Sequence, residues 1–493
     1  MPAGVPLMGI KATQFHLDPQ FGGTLQKQIQ QLVSQGILAG RFLPGEKMPS
    51  SRMLAQQLGV SRVTVTLAYA ELVASEYLTS RGRSGHFISE NAPRPPDYKL
   101  GDTARVETVD WHRALGTRYS DEMNLLRPPD WRGYEFPFIY GQPDPSLFDH
   151  DNWRRCALEA HGRRDFEEVT ADRYEQDDPK LIEYIVRNVL PRRGISARPE
   201  EVLLTLGAQN AIWVCTQLLL TGDRTAVIEN PCYPGLRKVL EHSSCRTVSV
   251  DVDENGLPPE RLPNQISVVF TTASHQCPTN TTMPMSRRLE LLRLSSQHNF
   301  IVVEDDYEFE MSFAQQPTPA LKSLDRAGSV IYIGSFSKSL FPGLRLGYIV
   351  ASPTFIREAR ALRAMVLRHP PGSVQRTTTY FLSRGYHDSM VNRIGKAYGR
   401  RRAVMEKAIR ECGLEVAGTG GFGGSSFWMK APDGINTAEL ALSLRERGVL
   451  IEPGQTFFDA ADKNTQYYRL AYSSIPSARI AEGIERIAAA LRQ

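Results

Sequence analysis

Lys338 stands in the run Ser335-Phe336-Ser337-Lys338-Ser339-Leu340-Phe341-Pro342-Gly343-Leu344-Arg345-Leu346-Gly347. It follows the strand-like stretch Val330-Ile331-Tyr332-Ile333, and the ends of strands in α/β sheets are where ligands bind. Ser335, Ser337 and Arg345 could hold a phosphate beside the amine. An amine among cations has a depressed pKa and attacks aldehydes. The combination suits a Schiff base with pyridoxal phosphate.

That cofactor needs a carboxylate at its pyridine nitrogen, a donor at its ring hydroxyl, an aromatic on its ring and a cup for its phosphate. Each has a candidate beside a predicted strand. In Val302-Val303-Glu304-Asp305-Asp306-Tyr307, Asp305 could pair with the pyridinium and Tyr307 donate to the hydroxyl; equally, consecutive acids cap helices. Gly207-Ala208-Gln209-Asn210-Ala211 joins the strand Val202–Leu206 to a helix, and the backbone N–H groups of Ala208 and Gln209 could cradle a phosphate. Tyr233 lies on a tight loop in Glu229-Asn230-Pro231-Cys232-Tyr233-Pro234-Gly235, either over the ring or packed. Arg469, in Tyr467-Tyr468-Arg469-Leu470-Ala471-Tyr472, is a fork suited to an acid group or to a structural ion pair.

These residues need a large scaffold. The 493 residues exceed one compact domain, and 41% apolar with 23% charged residues describes an ordinary globular chain. A net charge of +4 does not by itself argue for nucleic acid. Six scattered cysteines form no C-x-x-C pair or disulfide pattern, so a reduced, cytoplasmic protein is expected, with no metal site. The N-terminus lacks signal-peptide character. The most apolar stretch, 202–220, is interrupted by Gly207, Gln209, Asn210 and Gln217, which reads as strand then buried helix and not as a membrane span. From about Phe136, strand patterns (202–206, 225–228, 247–250, 266–271, 300–303, 330–333, 348–350) alternate with helical ones. This predicts a mainly parallel sheet covered by helices, followed by a smaller α+β lobe over roughly 395–493.

The first 90 residues differ. Leu25, Ile29, Leu32, Val33 and Phe42 predict a helix over 24–43 stopped at Pro44-Gly45. A short helix spans Ser51–Leu58, Ser61 caps a third, and Leu78–Ser80 and His86–Ile88 form two strands around Gly82 and Gly85. This is a winged helix-turn-helix pattern. Ser61, Arg62 and Thr64 at a helix N-terminus could reach base edges, while Arg52 and the wing residues Arg81 and Arg83, beside Gly85, meet the backbone. Residues 91–130, with Pro93, Pro95 and Pro96, read as a linker.

Met48-Pro49-Ser50-Ser51-Arg52, Leu58-Gly59-Val60-Ser61-Arg62-Val63-Thr64-Val65, Ala68-Tyr69 and Ser84-Gly85 closely resemble the GntR-type winged-helix domain over residues 24–89. The phosphate turn, Pro-x-Tyr, Asp-x-Tyr, Ser-x-Ser-Lys-x6-Arg and Arg469, in that order, resemble the fold-type I aminotransferases. With the winged-helix head they resemble the MocR/GabR subfamily of bacterial regulators. Tyr140-Gly141-Gln142-Pro143-Asp144, Arg193-Gly194-Ile195, Ser274-His275-Gln276 and Pro453-Gly454-Gln455 look like that subfamily too.

The resemblance implies a multidomain protein. Residues 1–90 form an α+β winged helix-turn-helix, 91–130 a linker, and 131–493 an α/β fold-type I, pyridoxal phosphate-binding domain with a small C-terminal α+β lobe. It implies Lys338 as Schiff-base lysine, Asp305 on the pyridine nitrogen, Tyr307 on the hydroxyl and Tyr233 stacked on the ring. Arg345 and Ser335 then hold the phosphate and Arg469 an effector acid group. Double-stranded operator DNA, a small amine or amino acid effector and a second copy of the chain are the expected partners. The implied function is a regulator that senses an amine by external aldimine formation at Lys338. An active aminotransferase with a DNA-binding head, and a regulator of vitamin B6 synthesis sensing the cofactor itself, are the alternatives. Three departures stand out: Cys277 where an aromatic is usual, Asn280 where glycine is usual, and no glycine before the helix that follows 172–179.

Overall fold

Thr24 accepts a hydrogen bond from the Lys27 amide and so starts the first helix, α1 (Leu25–Leu38). Ser50 and Ser61 do the same for α2 (Ser51–Leu58) and α3 (Arg62–Ala74). Such caps stabilise by about 1 kcal/mol each. α1 is shorter than its apolar periodicity predicts. Gly40 takes φ +69° and turns the chain, and Phe42 re-enters the core through that turn instead of along the helix. The strands β1 (Leu78–Ser80) and β2 (His86–Ile88) pair antiparallel, and Gly85 between them takes φ +102°. Ile29, Val33, Leu54, Val65, Tyr69, Leu72 and Ile88 make the core. The Tyr69 hydroxyl is satisfied inside it by the Pro49 carbonyl at 2.9 Å.

The computed structural model describes residues 9–492 except 94–107, 118, 120–127, 142–143, 315–317, 419–420 and 422. The chain divides into two compact units, Met1–Arg118 and Tyr119–Gln493. Much of the expected linker, and Gln142-Pro143 of the Tyr140 motif, lie outside the described residues. Within 91–130 a short helix forms over Trp111–Ala114, capped by Asp110.

The second unit is built on seven strands: β3 (Val202–Thr205), β4 (Thr225–Asn230), β5 (Arg246–Asp251), β6 (Val268–Thr271), β7 (Ile301–Asp305), β8 (Val330–Ser335) and β9 (Gly347–Val350). Their order is β3-β9-β8-β7-β6-β4-β5. β9 runs antiparallel to both neighbours; the other pairs are parallel. The mainly parallel expectation therefore holds with one reversed strand. The helix α4 (Gly207–Leu219) lays Ala211, Ile212 and Cys215 against Leu203, Ile333 and Ile349 of the sheet. The helix Tyr386–Glu411 spans the expected start of the small lobe near 395. A four-stranded antiparallel sheet follows, including Ser426–Lys430, Glu452–Pro453 and Tyr467–Ala471, and the helix Ser477–Leu491 closes the chain. Among the described residues no helix is long and apolar enough to cross a membrane.

Two of the sequence departures are accommodated locally. Asn280 takes φ +59°, as glycine would, and its Nδ2 donates to the Ser426 carbonyl at 2.7 Å. In the 172–179 tract, acids replace glycine. Asp178 caps the helix Pro179–Tyr184, and buried Asp177 accepts from Arg363 at 2.6 Å and Arg360 at 2.9 Å.

Candidate functional site

The carboxyl ends of β4, β7 and β8 open into a cavity of about 550 Å3. All nine cofactor residues expected from sequence line it: Ala208, Gln209, Tyr233, Asp305, Tyr307, Ser335, Ser337, Lys338 and Arg345. Arg469 lines it as well.

One end is built for an anion. The chain leaves β3, turns at Gly207 (φ +76°) and enters α4 with Ala208 and Gln209 in its first turn. Free backbone N–H groups and the positive end of a helix dipole face that point. Arg345 reaches over it and donates to the Leu206 carbonyl at 2.9 Å. A Cβ on Gly207 would stand only 3.2 Å from the Arg345 guanidinium, so glycine allows this approach. Ser335 and Ser337 stand at the end of β8, tied by the Ser337 amide donating to the Ser335 hydroxyl at 3.2 Å. Gln209 donates to the Gly235 carbonyl at 3.1 Å and thereby fixes the Tyr233 loop against the turn.

The opposite wall carries the acids of β7. Their neighbours have separated them. Asp306 is consumed structurally: it accepts from Arg193 at 2.6 Å and from the Tyr332 hydroxyl at 2.9 Å. Asp305 faces the cavity, and its Oδ1 has no hydrogen-bond partner. Burial, reinforced by the Asp306 charge, raises its pKa to about 7. A protonated ring nitrogen is the kind of partner that would satisfy this oxygen and hold it ionised. An orphaned buried carboxylate at one end and an anion cradle at the other fit pyridoxal phosphate. When bound, that group supplies an aldehyde able to exchange between amines.

Lys338 lies between these ends. Burial lowers its pKa to about 8, with Glu308 the largest charge pulling it back up. Its Nζ sits 3.9 Å from the centre of the Tyr140 ring, and the Arg469 guanidinium lies 4.0 Å from the same centre. Arg469 also donates through Nε to Glu452 at 2.7 Å. The ion pair that the sequence left open thus exists, and Arg469 lines the cavity nonetheless. Cys277 lines it too, and burial pushes its thiol up to about 12, so it packs as a small apolar group beside Trp428 and Phe457. Tyr140 and Glu452 had no role assigned from sequence. The nearest signal for Glu452 was a lone acid in the apolar run Val449-Leu450-Ile451.

In the other unit, Arg52, Arg62 and Arg81 are exposed. Ser61 is committed to capping: it accepts from the Thr64 amide at 3.1 Å and shares a 2.8 Å hydrogen bond with the Thr64 hydroxyl. Arg62 reaches the Ser51 hydroxyl at 3.4 Å. Arg81 covers the Phe87 ring at 4.8 Å, and its amide donates to the Gly85 carbonyl. His86 packs on Tyr69, ring centres 5.0 Å apart, and supports the wing from below.

Comparison with known proteins places both units. Residues 25–88 match the family described as bacterial regulatory proteins, gntR family, and residues 155–487 match aminotransferase class I and II. The chain is 57% identical to the HTH-type transcriptional regulator TauR of Rhodobacter capsulatus, over 98% of this chain and 100% of that one. It is 31% identical to the probable rhizopine catabolism regulatory protein MocR of Rhizobium meliloti, over 80% and 79%. The chain belongs to the MocR/GabR group of GntR-type regulators. It is a DNA-binding transcription regulator whose aminotransferase-like domain takes pyridoxal phosphate. Among solved structures, the α-aminoadipate aminotransferase LysN of Thermus thermophilus, complexed with N-(5′-phosphopyridoxyl)-L-leucine, superposes with a TM-score of 0.69 at 26% identity. That match covers 78% of this chain and 98% of the enzyme.

Proposed function

We propose that this regulator senses a small amine bearing a carboxylate or sulfonate, which takes the place of Lys338 on the cofactor. One observation carries this reading: Lys338 and Arg469 approach the same Tyr140 ring, at 3.9 and 4.0 Å. An amine-exchanging group and an acid-binding group are thereby one aromatic ring apart in one cavity. Asp305 holds the ring nitrogen in this reading, Tyr307 donates to the ring hydroxyl, and Tyr233 covers the ring face. The first turn of α4, Ser335, Ser337 and Arg345 hold the phosphate. Residues 1–90 form the DNA-binding head, with Arg52, Ser61, Arg62, Thr64, Arg81 and Gly85 at the operator; 91–130 link it to the sensing domain 131–493. The protein acts in the cytoplasm as a homodimer, so that two heads meet two half-sites. Effector contacts that differ between the two bonded states of the cavity shift DNA affinity.

The test is a titration of the purified protein with amino acids, ω-amino acids and amino sulfonates, following the absorption of the bound cofactor. A stable spectral change with one compound, matched by a change in operator affinity, supports the sensor. Loss of the cofactor aldehyde that a keto acid restores over many turnovers makes the protein an aminotransferase instead. Cofactor-dependent DNA binding with no response to any amine points to pyridoxal phosphate itself as the signal.

A further inference from the structure

Lys338 borders a second, much smaller space besides the cofactor cavity. Its other walls are Gly141, Glu308, Met311, Tyr398, Ser425 and Ser473. The free volume is about 10 Å3, the scale of a single water or ammonium head.

The lining is polar and incompletely satisfied. Glu308 is 1% exposed. Its Oε1 accepts from the Ser425 hydroxyl, while Oε2 has no hydrogen-bond partner, and neither does the Ser473 hydroxyl. Leaving a buried charged oxygen unpaired is costly, so a cation that can enter the chamber is strongly favoured there. The lysine head is adjacent. A Cβ on Gly141 would stand 2.6 Å from Lys338 Nζ, so the amine lies directly against this glycine and a side chain there would displace it. Other charged or titratable groups surround the lysine: Arg469 and Glu452 from the small lobe, Asp305 from β7, and Cys277. Arg469 repels an ammonium, and Glu452 is already paired with Arg469.

We propose that this chamber seats the Lys338 ammonium whenever the lysine is not bonded to the cofactor, with Glu308 as its counter-ion. In the exchange reaction, which rests on the sensor reading above, the effector nitrogen bonds to the aldehyde carbon and the bond from that carbon to Nζ breaks. With the bonded nitrogen carrying one proton before and after, the effector's ammonium gives up two protons and both end on Nζ, which becomes the ammonium, so atoms and charge balance. The new ammonium then donates to Glu308 Oε2 and Ser473 Oγ. Glu308 is a positioning residue: it acts on the effector through Lys338 alone.

The test uses the full chain stripped of cofactor and needs no effector. Lys338 is labelled by reductive methylation with formaldehyde and cyanoborohydride between about pH 6 and 10, and the modified peptide is quantified by mass spectrometry. Removing the counter-charge in Glu308→Gln should favour the free amine, moving the labelling midpoint down by about one pH unit and speeding labelling near neutrality about tenfold. Glu308→Asp should restore most of the wild-type profile, which loss of packing alone would not predict. Gly141→Ala, which fills the chamber and leaves the charge, should shift the midpoint the same way and covers the case of a Gln variant that does not fold. Unchanged profiles in the folded variants overturn the proposal. A spectrum that no amine alters counts against the sensor reading and leaves the labelling result standing.

Discussion

Arg469 and Glu452 form an ion pair at 2.7 Å in which both side chains are only 8% exposed. Breaking a buried pair from one side leaves the other charge uncompensated, at about 3–5 kcal/mol. Arg469→Ala is therefore expected to lower folding stability by roughly that amount, read as the denaturant midpoint. Its effect on sensing must be separated from this. Arg469→Lys keeps the charge and loses the planar fork. It should weaken the response to a carboxylate- or sulfonate-bearing amine about tenfold or more while leaving that to a plain alkylamine unchanged. Equal losses for both classes would remove Arg469 from the acid-binding role.

The depressed pKa of Lys338 sets a pH dependence for cofactor attachment. Only the neutral amine attacks the aldehyde, and burial places half-neutralisation near 8 instead of 10.5. Attachment to the stripped protein, followed by stopped-flow absorbance, should accelerate about tenfold per pH unit below 8 and level off above it. Continued acceleration towards pH 10 would show an unperturbed lysine. For this group the unfolded chain binds more protons between about 8 and 10.5, so its contribution to stability rises with pH across that window.

Asp305→Asn removes the charge but keeps the shape. Hydrogen bonds to charged groups contribute about 1.5–3 kcal/mol, so the cofactor should bind some 10- to 100-fold more weakly, measured by equilibrium absorbance titration. Asp306→Asn acts differently. It breaks the contacts with Arg193 and Tyr332 and should show mainly as lost stability. If the two variants behave alike, the assignment of Asp305 to the ring nitrogen is wrong.

Where the chemistry is carried by neighbours in sequence, it was legible. Lys338, Arg345 and the serines lie within eleven residues, and Asp305 and Tyr307 share one strand end. Ser61 announces its helix because capping is a local hydrogen bond. Tyr140 was not assignable, because about 200 residues separate it from Lys338 and only the folded small lobe brings them together. Glu308 and Glu452 were hidden for the same reason: each owes its character to partners from distant elements, Ser425 in one case and Arg469 in the other. The first helix was overextended because Phe42 keeps the apolar period, while Gly40 ends the helix through a backbone conformation that periodicity does not report.

Arg62 is exposed at the start of α3, next to a serine already used as a cap. Ser61 thus shapes the helix end, and Arg62 has the reach and charge to read a base or hold a phosphate. Loss of a bidentate base contact costs about 1–3 kcal/mol. Arg62→Ala should reduce operator affinity by one to two orders of magnitude at fixed salt and relax discrimination at one base position. The cofactor spectrum should be unaffected, since that side chain belongs to the other compact unit. Ser61→Ala should instead cost about 1 kcal/mol of stability in the head through the lost cap, with a weaker and sequence-independent effect on binding. Fluorescence anisotropy with single-base operator variants distinguishes the two patterns. An Arg62→Ala protein that binds every variant as the wild type does would transfer the reading role to Arg52 or the wing.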